Sequence, residues 1–259
     1  MTSPAALSPD EFGALPGVAV VTGGSGGIGA AIVRTLVSGG ARVALTYHRS
    51  YPEALLAELG DAVQAHALDV ADATACAEFA ADLVDRHGAV HTLVHAAGPH
   101  VDLKYISQTS PEEFASQVNA DLVGFFNVTS TLLPALRESS ASITAITSAG
   151  TRRYPSRDAL SVSPKGGVEA LCRGLAVEEG RFGIRVNCVG PGMLTDGMAA
   201  RLIDSGRMPQ EALEISKNSI PLRKFGVAED IAQAVAFLAS SRANFISGQK
   251  LDVDGGYGV

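Results

Sequence analysis

The residues of this chain most suited to chemistry open with a run of glycines, Thr22-Gly23-Gly24-Ser25-Gly26-Gly27-Ile28-Gly29. Gly24, Gly26 and Gly29 satisfy the spacing G-x-G-x-x-G; Gly23, Gly27 and Gly29 satisfy G-x-x-x-G-x-G. Glycines let a backbone turn tightly and come close to a diphosphate. Free N–H groups at a following helix start, with the positive end of the helix dipole, then hold the anion. The string alone is also what an ordinary tight turn looks like. Its neighbours give it meaning: β-branched Val18 to Thr22 precedes it, and a helical spacing of Ile28, Ile32, Val33 and Leu36 follows, closed by Gly39-Gly40. The end of the next strand reads Tyr47-His48-Arg49-Ser50, with no acid to accept from a ribose 2′-OH. His48 and Arg49 therefore favour NADP(H) over NAD(H), with Arg49 the candidate for a 2′-phosphate. The alternative is a merely solvated arginine.

The elements that must position these residues alternate along the chain. Strand patterns fall at Val18 to Thr22, Arg42 to Tyr47, Val63 to Val70, Thr92 to His95, Ile143 to Thr147, Ile184 to Val189 and Lys250 to Val253. Helical patterns lie between most of them, at Gly27 to Ser38, Pro52 to Leu59, Thr74 to His87, from Ser110, at Leu160 to Glu179 and at Ala228 to Ser240. Ser110-Pro111-Glu112-Glu113 reads as a capping box with Pro at the first helical position. Such alternation predicts a single α/β domain, a doubly wound parallel sheet of about seven strands with helices on both faces. Residues 1–16 read as a flexible arm and 17–259 as the domain.

Composition narrows the function. With 46% hydrophobic and 18% charged residues, the 259-residue chain is too apolar for disorder. A net charge of −7 lacks the basic surplus of a nucleic-acid binder. Cys76, Cys172 and Cys188 are too few and too scattered for a disulfide framework or a zinc site, and read as buried small hydrophobes. The six histidines show no helix-face pair, so no metal is expected; His95 and His100 would flank the cleft. Apolar stretches are too short for a membrane span, and the N-terminus has no signal-peptide pattern. A soluble, cytoplasmic protein is the expectation.

Over residues 17–257 the chain resembles the short-chain dehydrogenase/reductase family in its compact form, which has a Rossmann fold. Thr22 to Gly29 resembles T-G-x-x-x-G-x-G, and Asp69-Val70 the D-V pair at the adenine ring. His95-Ala96-Ala97-Gly98 stands where the family has N-N-A-G. Ser148 ends the strand that delivers a catalytic Ser. Asn187 with Pro191-Gly192 resembles V-N-x-x-x-P-G beside the nicotinamide. Glu229-Asp230-Ile231 and Asp252 to Gly256 are similar to the C-terminal segments. The resemblance implies hydride transfer between a nicotinamide and a carbonyl or alcohol carbon. A Tyr moves the proton, a Lys four residues later binds the nicotinamide ribose and lowers the Tyr pKa, a Ser orients the carbonyl, and an Asn connects the Lys to water.

The sequence departs from that pattern at the tyrosine. Thirteen residues after Ser148 stands Ser161, in Ser161-Val162-Ser163-Pro164-Lys165. The Lys is in place; the Tyr position is serine. Asp121, in Asp121-Leu122-Val123-Gly124, stands for the Asn, and Asn119 would face elsewhere on a helix. Thr195 follows Pro191 one position early for a carboxamide contact. A serine alcohol is a far weaker acid than a phenol and a whole ring shorter, and loss of a general acid lowers rate by about 10²–10⁴.

Three readings follow. A reductase has a substitute proton donor: Tyr154 in the loop after Ser148, a water relaying from Lys165 or Asp121, or the substrate itself. Tyr154 is otherwise an ordinary loop aromatic and Asp121 an ion-pair partner of Lys165. The second reading is a catalytically silent subunit paired with an active relative; the third is an NADP(H) sensor. Residues 193–222, rich in Met193, Leu194, Met198, Leu202, Ile203, Met208, Leu213 and Ile215, read as an apolar substrate lid or as two packed helices. A lid of that kind suits a hydrophobic ketone. The resemblance also implies a homo-oligomer, dimer or tetramer, through the long helices near Ser110 and Leu160 and the Leu251 to Val259 tail.

Overall fold

Segments such as Val18–Thr22 and Val43–Tyr47 are almost continuously apolar and buried along their length. Strands of that kind must be covered on both faces, which a parallel sheet with flanking helices provides. The computed structural model describes residues 11–99, 101–196 and 210–259. Its strands are β1 (Val18–Thr22), β2 (Val43–Tyr47), β3 (Val63–Ala67), β4 (Val90–His95), β5 (Ser142–Ile146), β6 (Arg185–Pro191) and β7 (Lys250–Val253). All are parallel, in the order β3-β2-β1-β4-β5-β6-β7.

The helices are α1 (Gly27–Ser38), α2 (Glu53–Leu59), α3 (Ala73–His87), α4 (Pro111–Val118), α5 (Gly124–Glu138), α6 (Ala159–Glu179), α7 (Gln210–Asn218) and α8 (Ala228–Ala239). Alternation within β1 sends Ala19 and Val21 into one core, with Ile32, Leu36, Ile231 and Val235 of α1 and α8. Val18 and Val20 enter the other, with Leu83, Phe125, Leu132 and Val168 of α3, α5 and α6. The single doubly wound sheet expected from the alternation is therefore the fold observed.

Strand order reverses between β1 and β4, so the loops leaving their C-terminal ends diverge and open a crevice. Three expectations change in detail. The strand read over Val63 to Val70 ends at Ala67, because Asp69 turns the chain: its Oδ1 accepts from the Ala71 N–H at 3.0 Å. The helix read from Ser110 has the expected capping box but is interrupted at Asn119–Val123 by a wide π turn. Of the arm read over residues 1–16, the described part, from residue 11 on, is anchored at Phe12, which is 1% exposed and donates its N–H to the Gly39 carbonyl at 2.8 Å. Burial of an aromatic ring holds this segment against the domain.

Candidate active site

At the phosphate end, the loop from β1 to α1 leaves no space for side chains. Gly23 has φ +67°, and a Cβ there would stand 2.7 Å from the Ala97 Cα. A Cβ on Gly29 would stand 2.1 Å from the Gly23 carbonyl oxygen. Helix α1 starts after Gly26 with no capping side chain and no acid in its first turn. Its leading amides thus face the crevice mouth uncompensated, as an anion site requires. Gly26 and Gly27 are exposed and Ser25 half-buried. Thr22 ties the two diverging strands: its Oγ1 accepts from the Ala97 N–H at 3.3 Å, and its carbonyl accepts from the Ala96 N–H at 3.1 Å.

The candidate adenosine contacts gather at the ends of β2 and β3. His48 and Arg49 are exposed, and His48 Nε2 lies 3.9 Å from Asp69 Oδ2. Arg49 has no carboxylate partner among the described residues. The Asp69-Val70 turn is clamped from α5, where Asn127 Nδ2 donates to the Val70 carbonyl at 3.1 Å and the Ala71 carbonyl at 3.3 Å. Asn127 carried no sequence signal, because its partners lie more than fifty residues away in the chain.

The reaction end converges from β5, the π turn before α5, and α6. Ser148 Oγ accepts from the Gly150 N–H at 3.0 Å, which leaves its O–H free to donate. Lys165 Nζ donates to Asp121 Oδ1 at 2.8 Å, with both side chains nearly buried. The π turn brings Asp121 there, and Asn119 is exposed on another side. Of the two readings of Asp121, the ion pair is thus present. Ser161 lies one turn before Lys165 on the same helix face. Gly98 adjoins Lys165: a Cβ on it would stand 3.3 Å from Nζ.

These groups share a cavity of about 500 Å³. Ile28, Gly98, Pro191 and Gly192 line it together with Asp121, Ser148, Ser161 and Lys165. Its remaining wall is largely apolar, with Val101, Leu103, Ile146, Met193, Leu194 and Ile220. Met193 and Leu194 of the expected lid thus belong to it, whereas Ile215 is exposed. Met198, Leu202, Ile203 and Met208 fall outside the described residues, as does His100.

Several expected site residues lie elsewhere. Tyr154 is half exposed and does not line the cavity; Pro155 and Ser156, which follow it, form the wall. Thr195 is exposed and bonds the Gly226 carbonyl through its N–H, which turns it away from the cavity wall. Asn187 is a buried strut whose Nδ2 donates to the Ile246 carbonyl at 2.8 Å and whose Oδ1 accepts from the Gln249 N–H. His95 is fully buried rather than flanking the cleft. Its Nδ1 lies 2.9 Å from Thr22 Oγ1, and burial with the Lys165 charge pushes its pKa down to about 3. Among the described residues no His, Cys, Asp or Glu group could hold a metal ion, and no helix is long and apolar enough to cross a membrane.

Two further features, like Asn127, had no sequence signal. Beneath Ser148, the nearly buried Lys250 Nζ donates to the Ser148 carbonyl at 2.8 Å and to Thr151 Oγ1. It also pairs with Asp252 at 2.9 Å and Glu169 at 3.1 Å. Gly190 makes room for this cluster, since a Cβ would stand 2.2 Å from Asp252 Oδ1. The second feature is Asp158, at the start of α6, which lines the cavity beside Ser161. Burial pushes its carboxyl up to about 6.

The family model described as enoyl-(acyl carrier protein) reductase matches residues 23–258. An L-fucose dehydrogenase of Mus musculus is 34% identical over 240 residues, 92% of this chain and 87% of that protein. A 3-oxoacyl-[acyl-carrier-protein] reductase FabG of Staphylococcus epidermidis is 35% identical over 245 residues, 92% of this chain and 97% of that one. Among solved structures, a short-chain dehydrogenase/reductase from Serratia marcescens superposes with a TM-score of 0.86 at 30% identity, covering 95% of this chain and 100% of that chain. ElxO with NADP bound does so at 0.86 and 26% identity, over 94% of this chain and 99% of that one.

Proposed function

The chain belongs to the short-chain dehydrogenase/reductase family, and from that premise we propose that this oxidoreductase reduces an apolar ketone, or oxidises the matching alcohol, with NADP(H) and a proton donor other than tyrosine. One observation carries the reading. A single cavity is lined by Ile28, from the helix of the glycine loop, and by Ser148, Ser161 and Lys165. Nucleotide and reacting side chains would therefore meet in one space. The Gly23 and Gly29 cradle and the uncapped start of α1 fit a diphosphate. Arg49, without a carboxylate partner among the described residues, fits a 2′-phosphate.

When bound, the reduced nicotinamide supplies a hydride to the carbonyl carbon. The chain's own residues do the rest. Ser148 O–H donates to the carbonyl oxygen and orients it. Lys165, fixed by Asp121, holds the nicotinamide ribose. The apolar wall of Val101, Leu103, Ile146, Met193, Leu194 and Ile220 excludes water and favours an apolar flank on the substrate. Around the start of α5, exposed Val123 and Phe126 with nearby Leu122, Ala170 and Leu171 form an apolar face that supports pairing with a second copy. A second reading, a silent subunit or NADP(H) sensor, is favoured by Ser161 and by the neutralisation of Lys165 by Asp121.

The test begins with NADPH fluorescence, which should rise on binding. No rise, with folding checked by circular dichroism, sinks the oxidoreductase reading. Turnover of ketones, aldehydes and quinones by the purified chain alone then separates enzyme from silent subunit. Activity that appears only in Ser161→Tyr supports the silent subunit.

A further inference from the structure

We propose that Asp158 is the proton donor of this site, in the place that a tyrosine hydroxyl takes in the family. The inference rests on the reductase reading above. Asp158 occupies the N-cap position of α6, three residues before Ser161. Aspartate at an N-cap ordinarily accepts from the second or third helical N–H, a bond whose loss weakens a helix by about 1 kcal/mol. Asp158 makes no such bond. It has no ion pair or side-chain hydrogen bond among the described residues. Asp158 instead lines the cavity, half-buried, with Ser148, Ser161 and Lys165. A parallel bridge between Asp158 and Lys104 fixes the backbone beneath it.

The charged groups described around it have other partners, save one oxygen of Asp196. Lys104 pairs with Glu113, from the segment before α4. Lys165 of α6 pairs with Asp121. Arg157 stacks over Tyr105 and Arg153 over Tyr257. Asp196, across the cavity, accepts from the Ala228 N–H. Among the described residues no cation is left to hold Asp158 as a carboxylate, so burial governs it and its pKa rises to about 6. The positive end of α6 opposes this shift but does not prevail. An acid near neutrality is what general catalysis calls for, whereas the Ser161 alcohol titrates far higher.

The proton balance is simple. As the carbonyl carbon accepts a hydride from the reduced nicotinamide, the C=O π pair passes to oxygen. The Asp158 O–H bond breaks and a new O–H bond forms on the product alcohol. The carboxylate regains its proton from water.

Two readouts test this. In the protein without nucleotide, ¹³C NMR of the carboxyl, assigned by loss of its signal in Asp158→Asn, should titrate near pH 6. Titration near pH 4 overturns the proposal. The second readout is NADPH-dependent turnover of the carbonyl panel by wild type, Asp158→Asn, Asp158→Glu and Tyr257→Phe. Wild-type kcat should fall above about pH 6. Asp158→Asn should lose about 10²–10⁴-fold in kcat with NADPH affinity unchanged, Asp158→Glu should recover part of it, and Tyr257→Phe should keep the wild-type rate. Turnover by Asp158→Asn at the wild-type rate and pH profile, or loss in Tyr257→Phe instead, overturns the role of Asp158 and leaves the reductase reading standing. No turnover by the wild type with NADPH bound overturns both.

Discussion

The two ends of the crevice are built in opposite ways. At the phosphate end, function comes from what is missing: Gly23 and Gly29 lack the Cβ atoms that would collide with the backbone, and α1 lacks a cap. At the reaction end, side chains crowd together. Asp121 and Lys165 pair at 2.8 Å, and Lys250 collects Glu169, Asp252, Thr151 and the Ser148 carbonyl. Binding of a diphosphate asks only for backbone donors in a tight loop, which eight consecutive residues supply. Orientation of a carbonyl asks for a fixed hydroxyl, and Ser148 is fixed by residues from β7 and α6 that lie far away in sequence.

That contrast can be broken experimentally. The largest effect is expected at the crowded end. Lys250→Ala leaves Glu169 and Asp252 without their cation in a nearly buried site, at a cost of about 3–5 kcal/mol. Urea unfolding measures it. A midpoint equal to wild type would mean that the cluster is solvated and does not hold Ser148.

Acid acts along β4, whose C-terminal end lies where the two halves of the crevice meet. His91 and His95 are buried neutral, with pKa values pushed down to about 4 and about 3. Once unfolded they regain ordinary values near 6.5. Below that pH the unfolded chain binds more protons, so stability falls as pH drops from about 6.5 and flattens once the folded values are passed. For His95 alone the loss is on the order of 3 kcal/mol at pH 4. His95→Asn should flatten the dependence of the urea midpoint on pH. The same slope in the variant would move its origin elsewhere.

At the glycine end, Gly29→Ala forces a Cβ against the Gly23 carbonyl. Overpacking of this kind costs about 1–3 kcal/mol, and the loop movement should abolish the NADPH fluorescence rise. Retained NADPH binding would show that the loop is not the phosphate site. The smallest effect is at the rim. Arg49→Ala should weaken NADPH by about five- to tenfold, roughly 1 kcal/mol, and leave NADH unchanged. Calorimetry with both nucleotides checks this, and equal weakening of the two would remove Arg49 from any 2′-phosphate role.

Legibility in the sequence followed the same division. Helix α1 appears at the bounds that its glycines and apolar spacing predicted, and the Ser110 capping box forms as read. These are local features, set by hydrogen bonds and packing within one turn or one strand-to-helix step. The ion pair of Asp121 and Lys165 was readable only as one of two alternatives, because a straight helix and a π turn place residue 121 differently. For Tyr154 the two readings, proton donor and ordinary loop aromatic, stay open in the sequence because position along a loop does not say which side chains face inward; Pro155 and Ser156 take the wall. Asp158 carries no functional signal in the sequence. Its sequence context is that of an ordinary N-cap, and only its unmade cap bond and its place in the cavity distinguish it.

Residue types along the chain are enough to give the alternation of strands and helices, the glycine loop between β1 and α1, and a serine four residues before Lys165. Each depends on residue types at short spacing, where chain geometry leaves few choices. Tertiary structure alone decided what surrounds Ser148, Ser161 and Lys165. The strand order brings β5, α5, α6 and β7 together, so residues as distant as Ser148 and Lys250 touch. Whether a carboxylate there is paired, as Asp121 is, or left to burial, as Asp158 is, depends on which cations those contacts have already taken.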